Sequence, residues 1–241
     1  MTAVNIFRLG DSVVVMTDGA HYLPDGTIGR LGEKTICFPD SPAVLTSRGR
    51  SEFWDQLQNA LPAERGSFDS VLSWLPIVVQ DVARRSWHQT RQEIAIAGWS
   101  NDRARGESYL MFTADHIMGN GRGGTVEVAA FELVELPHFV VSPSPPPSLL
   151  AEQGVFGMPA ARNFEPIAVG IRIMEAQRRT PPEAYPTPTV GGFIKCDTIT
   201  KDGVQSEIIH HWREDVVGQP ITISPEPASR LNRRQRRALG R

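Results

Sequence analysis

Thr2 is the residue of this sequence whose possible chemical role is the most specific. A threonine hydroxyl is a poor nucleophile unless a base lies beside it. If Met1 is removed, Thr2 becomes the N-terminal residue, and its own α-amine, with an unperturbed pKa of about 7.7, can serve as that base. Thr2 and Ala3 are both small, which favours removal of Met1 without a propeptide. The sequence therefore predicts a candidate N-terminal nucleophile.

The elements that must position this nucleophile begin with a predicted β-hairpin. Residues 2–9 alternate as a short strand, and Gly10-Asp11 is a two-residue turn with glycine first, as a type II′ hairpin prefers. Residues 12–17 are apolar and mostly β-branched, which predicts a buried second strand. Asp18 follows that strand directly.

Two more residues that could take part in catalysis, Lys34 and Gly49, lie beside later elements. Lys34 follows a glycine-spaced loop, and Gly49 lies between a predicted strand at 43–46 and a predicted helix. Counted from Thr2, Asp18 lies 16 residues along the chain, Lys34 lies 32 and Gly49 lies 47. Each residue alone also has a purely structural interpretation. Asp18 could only form a turn, Lys34 could be a solvated lysine at a strand end, and Gly49 could only permit a tight turn. Their joint spacing is the informative observation.

This spacing resembles the start of the proteasome β-subunit family, whose members, including bacterial relatives, are N-terminal-nucleophile (Ntn) hydrolases. In that family an exposed N-terminal threonine is followed by an aspartate after the first hairpin. A lysine near a later strand and a glycine before the first helix come next. The Gly-Gly strand at 190–194 and the Ile-Thr-Lys-Asp-Gly turn at 199–203 are similar as well. The resemblance covers roughly residues 2–61 and 160–212.

The resemblance implies a role for each of the four residues. Thr2 would be the nucleophile and its α-amine the base. The Lys34 cation would hold down the pKa of that amine and stabilise developing negative charge. Asp18 would pair with Lys34, and the backbone N–H at Gly49 would donate to the oxyanion. No cofactor is expected, and no metal site is predicted because the histidines and the two single cysteines lack ligand spacing.

The resemblance also implies an α/β (α+β) fold, a four-layer αββα sandwich with two sheets face to face and helices outside. Residues 1–215 would form this Ntn-hydrolase domain, and residues 216–241 an extended, disordered basic tail.

Apolar spacing predicts helices at residues 50–61 and after Ser67, both on the same sheet face, and a third helix at about 163–179. Residues 142–148 (SPSPPPS) are predicted to be a stiff polyproline connector.

Two departures from the family keep a second hypothesis open. Active members carry a serine in the loop before the third helix, whereas residues 154–159 contain none. Arg48 lies where small residues are common, beside the substrate channel. The first hypothesis is a threonine-type peptidase or amidohydrolase that acts on a peptide or protein and assembles as a homo-oligomer. The alternative is a catalytically inactive scaffold or interaction subunit of the same fold.

Charge is distributed unevenly along the chain. The net charge is −2, and the last twelve residues hold six arginines and no acid, which leaves −8 on residues 1–229. Arg233, Arg234, Arg236 and Arg237 could contact nucleic acid or an acidic partner through salt-sensitive pairing. The alternative is a solubilising tail, because no aromatic residue is interleaved for base stacking.

No apolar run approaches the roughly 20 residues of a membrane span, and no signal peptide is recognised. A cytoplasmic protein without a membrane partner is therefore predicted.

Overall fold

A computed structural model of the chain describes residues 2–38, 41–86, 91–119, 124–136, 139–156, 165–180 and 188–223. These residues form fourteen strands and four helices, and 39% of them lie in strands and 24% in helices. The helices are α1 (Ser51–Ala60), α2 (Phe68–Arg85), α3 (Pro147–Glu152) and α4 (Pro166–Arg178). The strands are β1 (Val4–Arg8), β2 (Val13–Asp18), β3 (Ala20–Tyr22), β4 (Ile28–Leu31), β5 (Thr35–Phe38), β6 (Ala43–Arg48), β7 (Glu93–Ser100), β8 (Arg105–Phe112), β9 (His116–Gly119), β10 (Thr125–Val128), β11 (Val134–Glu135), β12 (Phe139–Ser142), β13 (Phe193–Thr200) and β14 (Gly203–His211).

The strands form four antiparallel sheets. One five-stranded sheet has the order β12-β1-β2-β13-β14, and the other has the order β11-β8-β7-β6-β5. The hairpins β3-β4 and β9-β10 form two smaller sheets. The first sheet therefore joins strands from both ends of the chain, with β1 and β2 beside β13.

The expectation of a four-layer αββα sandwich is wrong. The protein is a β-rich fold with four antiparallel sheets and four helices among the described residues. The physical reason lies partly in α3, which has only six residues and no buried side chain, so it contributes little covering layer. The sheets, including two extra hairpins, account for more of the described residues than the helices do, 39% against 24%.

Successive buried side chains of a strand point to opposite faces of the sheet and so belong to different core clusters, as strand geometry requires. On β2, Val13 and Val15 belong to a cluster shared with Val44 of the second sheet, whereas Val14 and Met16 point to the opposite face. The α4 helix packs on that opposite face through buried residues such as Ile173 and Met174. The continuous apolar run of β2 is explained by burial on both faces.

Helices α1 and α2 pack together on the second sheet. Their apolar stripes, including Leu57 and Leu75, contact Leu45 of β6 and Ile96 of β7 in one buried cluster. Fully burying a side chain of this size contributes roughly 1.5–3 kcal/mol. The prediction that both helices lie on the same sheet face is confirmed.

The helix boundaries agree with the sequence in three places and differ in one. Helix α1 matches its predicted range, and the Ser67 hydroxyl accepts the Ser70 N–H at 3.2 Å as the N-cap of α2. Helix α4 begins at Pro166, which is tolerated in a first turn. The predicted polyproline connector is shorter than expected, because α3 begins at Pro147 for the same reason. None of the described helices combines the length and apolar character needed to cross a membrane.

Residues 215–222, named here the C-terminal strap, fold back onto the β3-β4 hairpin. The Gly218 N–H donates to the Ile28 carbonyl at 2.8 Å, and the Ile28 N–H donates to the Gln219 carbonyl at 2.9 Å. Ile221 packs on Ala20 and Ile28. The basic residues Arg233, Arg234, Arg236 and Arg237 lie outside the described residues.

Candidate active site

The residues singled out by spacing lie at one place in the structure. Thr2, Lys34 and Gly49 line a cavity of about 450 Å³, and Asp18 lies directly behind Lys34, fully buried. The cavity wall also includes Ser47 of β6 and Trp54 of α1. Two sheets, a helix and a hairpin therefore meet at the predicted nucleophile.

The first hairpin brings Asp18 to Thr2. The Leu9 N–H donates to the Ser12 carbonyl at 2.9 Å and closes the turn, which sets the antiparallel register of β1 and β2. The last residue of β2 then lies beside the start of β1, and the Ala3 N–H donates to Asp18 Oδ1 at 2.9 Å. The hairpin therefore fixes the carboxylate next to the N-terminus, although Gly10 does not adopt the positive φ that the predicted type II′ turn requires.

Asp18 and Lys34 form a buried ion pair. Lys34 Nζ lies 3.0 Å from Asp18 Oδ1 and 2.9 Å from Oδ2, and the two residues are 1% and 4% exposed. Thr46 of β6 donates its hydroxyl to the Lys34 carbonyl at 2.8 Å, which fixes the backbone of the lysine. Burial lowers the pKa of Lys34, and the Asp18 charge opposes that shift in part. The pair therefore fixes the Lys34 side chain at the cavity wall.

The Gly49 turn is built around Gln92, a residue that the sequence did not indicate. Gly49 has a φ of +155°, and a Cβ at this position would overlap the Gln92 amide oxygen. The same oxygen accepts the Arg50 N–H at 2.8 Å, and the Gln92 N–H donates to the Thr113 hydroxyl at 2.9 Å. Gln92 thus ties the turn before α1 to the sheet behind it. No local pattern in the sequence marks such a long-range contact.

His21 is a second wall residue that sequence reasoning missed. It lies on β3 and lines the same cavity. Burial, together with the positive charges of Lys34 and Arg30, lowers the pKa of His21 to about 4. At neutral pH the imidazole is therefore uncharged and adds no positive charge beside Lys34.

The loop at 154–159 has no serine, whereas active members of the similar family carry one there. Ser144, in the loop after β12, donates its hydroxyl to the Val141 carbonyl at 3.1 Å and is not among the residues that line the cavity with Thr2. Of the loop at 154–159, residues 157–159 lie outside the described part of the chain.

Arg48 takes a different position from the one expected beside the substrate channel. Its Nη1 lies 3.4 Å from the Glu93 carboxylate, and that carboxylate also accepts the Ser142 hydroxyl at 3.1 Å. The arginine in the cavity wall is Arg50, whose Nε lies 3.4 Å from the Glu52 carboxylate. The cavity wall therefore carries both signs of charge.

Comparisons with known proteins add no family assignment. No protein-family profile matches the chain, and no curated protein matches it in sequence. Within the described ranges, no group of three or more histidine, cysteine, aspartate or glutamate side chains could hold a metal ion. Any inference about chemistry therefore depends on the arrangement of Thr2, Asp18, Lys34 and Gly49.

Proposed function

We propose that the protein is an N-terminal threonine hydrolase, most simply a peptidase, that acts on an amide bond of a peptide or protein after removal of Met1. One observation carries the proposal. Lys34, a buried ammonium paired with Asp18, lines the same cavity as Thr2. A water-excluded cation beside a hydroxyl nucleophile is worth more than the same charge in solvent. The spacing similar to that of the proteasome β-subunit family supports the same proposal.

The proposed reaction has two steps. The Thr2 hydroxyl oxygen attacks the substrate carbonyl carbon while the Thr2 α-amine takes the hydroxyl proton. The tetrahedral intermediate collapses, the C–N bond breaks, and the leaving amine receives that proton, which leaves an ester on Thr2. Water then attacks the ester, with the α-amine again moving the proton, and the carboxylic acid is released.

The surrounding residues would act through charge and hydrogen bonds. Lys34 would keep the α-amine unprotonated at neutral pH by like-charge repulsion. The backbone N–H of Gly49 would stabilise the oxyanion. Asp18 would hold Lys34 in place. With Met1 retained, the nitrogen is an amide and cannot act as a base.

The direct test is intact mass and N-terminal sequencing of the purified protein after incubation with a β-lactone, an electrophile for N-terminal threonine. We expect a chain that begins at Thr2 and carries one adduct on that residue. Thr2→Ala should take none, and Thr125→Ala, which changes an exposed threonine on β10, should react like the wild type. A chain that still begins at Met1 and takes no adduct would overturn the proposal and favour a scaffold role.

The same resemblance supports a homo-oligomer in the cytoplasm as part of this proposal. Light scattering after size exclusion gives the mass of the assembly, and a monomeric mass at micromolar concentration would contradict it.

A further inference from the structure

A second buried ion pair lies behind the candidate site. Arg178 ends α4, Asp215 begins the C-terminal strap, and the two residues are 2% and 7% exposed. Arg178 Nη2 lies 2.7 Å from Asp215 Oδ1, and Nη1 lies 2.8 Å from Oδ2. This bidentate geometry fixes both groups in one orientation. A buried pair is weak evidence for stability by itself, so what else it binds is informative.

The pair binds the backbone of residues 190–192 from two sides. Arg178 Nη1 donates to the Val190 carbonyl at 2.9 Å, and the Gly192 N–H donates to Asp215 Oδ2 at 2.6 Å. Gly191 lies between them with no room for a side chain, since its Cβ would overlap the Asp215 carboxylate and lie 2.7 Å from Arg178 Nη1. This segment therefore cannot shift unless the ion pair shifts with it.

Gly191 connects the pair to the candidate site. Its N–H donates to Asp18 Oδ2 at 3.3 Å, the same oxygen that lies 2.9 Å from Lys34 Nζ. Its carbonyl accepts the N–H groups of Gly19 and Ala20 at 3.1 and 3.0 Å. The backbone on both sides of Asp18 thus takes its position from Gly191.

The pair also fixes one wall of the cavity. Arg178 Nη2 donates to the Thr222 carbonyl at 3.0 Å, at the end of the C-terminal strap. The strap is hydrogen-bonded to Ile28 of β4, and the β3-β4 hairpin supplies His21 and Leu23 to the cavity wall. One guanidinium therefore contacts both supports of the site.

We infer that the Arg178–Asp215 pair is a positioning element that holds Asp18, and through it Lys34, in the geometry that the candidate site needs. The inference rests on the function proposed above in one respect: its first test measures the reaction of Thr2 with a β-lactone. Neither residue lines the cavity, so both act through Gly191 and the strap rather than on a substrate.

Asp215→Asn tests the inference, with Glu214→Gln as the matched control. Glu214 is the neighbouring acid, lies 3.5 Å from Arg178 Nη2, and is more exposed. We measure the rate of β-lactone addition to Thr2 as a function of pH. Asp215→Asn should lower the maximal rate by about tenfold or more, as expected when a catalytic group is displaced. Glu214→Gln should leave the rate unchanged.

The pH profile separates positioning from general destabilisation. Asp18 raises the pKa of Lys34, whereas burial and Arg30 lower it, and His21 is neutral nearby. On the alkaline side of the profile, the rate should fall as Lys34 loses its proton. If Asp18 is displaced, the pKa of Lys34 should drop, and this fall in rate should begin at a lower pH. A purely structural role would reduce the amount of folded protein and leave the pH of this fall unchanged. A profile identical to that of the wild type would overturn the inference.

A second readout does not need a reactive Thr2. The pH dependence of Lys34 acetylation by acetic anhydride, followed by peptide mass spectrometry, reports directly on that amine. If the wild type takes no lactone, the hydrolase proposal fails, and this profile still decides the positioning role. An acetylation midpoint that is the same in Asp215→Asn and wild type overturns the inference. If Asp215→Asn fails to fold by circular dichroism, Arg178→Lys, which keeps the charge but loses the bidentate contact, replaces it in both measurements.

Discussion

Gly49 and Gln92 occupy a space that admits only one side chain. A Cβ on Gly49 would overlap the Gln92 amide oxygen, and that oxygen is the acceptor for the Arg50 N–H just before α1. The turn that begins the helix is thus shaped by a residue 43 positions away in sequence, at the start of the next long strand. The backbone at the candidate oxyanion position depends on this contact.

We expect Gly49→Ala to destabilise the protein by about 1–3 kcal/mol, because the methyl group meets Gln92 at a backbone angle that favours glycine. Urea unfolding measures the change. Gly10→Ala is the control, since a Cβ there meets nothing within 4 Å. Equal midpoints for wild type and Gly49→Ala would show that the turn relaxes without cost.

Asp18→Asn and Lys34→Met should each be strongly destabilising, by about 3–5 kcal/mol, because each leaves a buried charge without its partner. The double variant should recover part of that loss, which a double-mutant cycle quantifies. Reaction of Thr2 with a β-lactone should stay absent in the double variant, since the cation is gone. A reactive double variant would exclude Lys34 from the chemistry.

His21 should make the protein less stable in mild acid. Its pKa is lowered to about 4 in the fold from 6.5, so the unfolded chain binds a proton before the folded chain does. The free energy of unfolding should therefore fall as pH decreases from about 6.5 to about 4. His21→Gln should remove that part of the dependence, as measured by urea unfolding at a series of pH values. An identical slope in the variant would contradict the assignment.

Glu107 should contribute to stability down to a much lower pH. Burial raises the pKa of its carboxyl group, but hydrogen bonds from Arg103, Arg105 and Tyr109 outweigh that effect and lower it to about 2. The contribution is fully present above the ordinary value of 4.5 and is lost as pH falls towards 2. In Glu107→Gln, thermal midpoints should change less between pH 4.5 and 2 than in the wild type. Parallel curves would argue against the network.

The elements that the sequence predicts well are those set by neighbouring residues. The hairpin ending at Asp18 follows from its strand pattern, and α1 and α2 follow from apolar spacing and the Ser67 cap. Helix α3 was missed because a proline cluster favours an extended chain, although its last proline can begin a helix. The four-layer architecture is wrong because it comes from the resemblance rather than from the residues, whose pattern does not say that α3 buries no side chain.

The candidate site divides in the same way. Thr2 and Asp18 come together through one local hairpin, which the sequence indicates. Gln92 and Gly191 come from far along the chain, the latter 173 residues after Asp18. The Gly-Gly strand at 190–194 is visible in the sequence, but no periodicity predicts that Gly191 contacts Asp18 or that Gln92 contacts the Gly49 turn. His21 has no distinguishing neighbours in sequence, and its neutrality arises only from burial beside Lys34.

The C-terminal strap also has a consequence for the order of synthesis. The ribosome makes Thr2, Asp18 and Lys34 first, and Met1 can be removed while most of the chain does not yet exist. Gly191, Asp215 and the strap that holds the cavity wall are among the last described residues to be made. A nascent chain that had lost Met1 would therefore carry an exposed N-terminal threonine without the backbone donor to Asp18 or the finished wall. Completion of the polypeptide is the step that would switch such a site on.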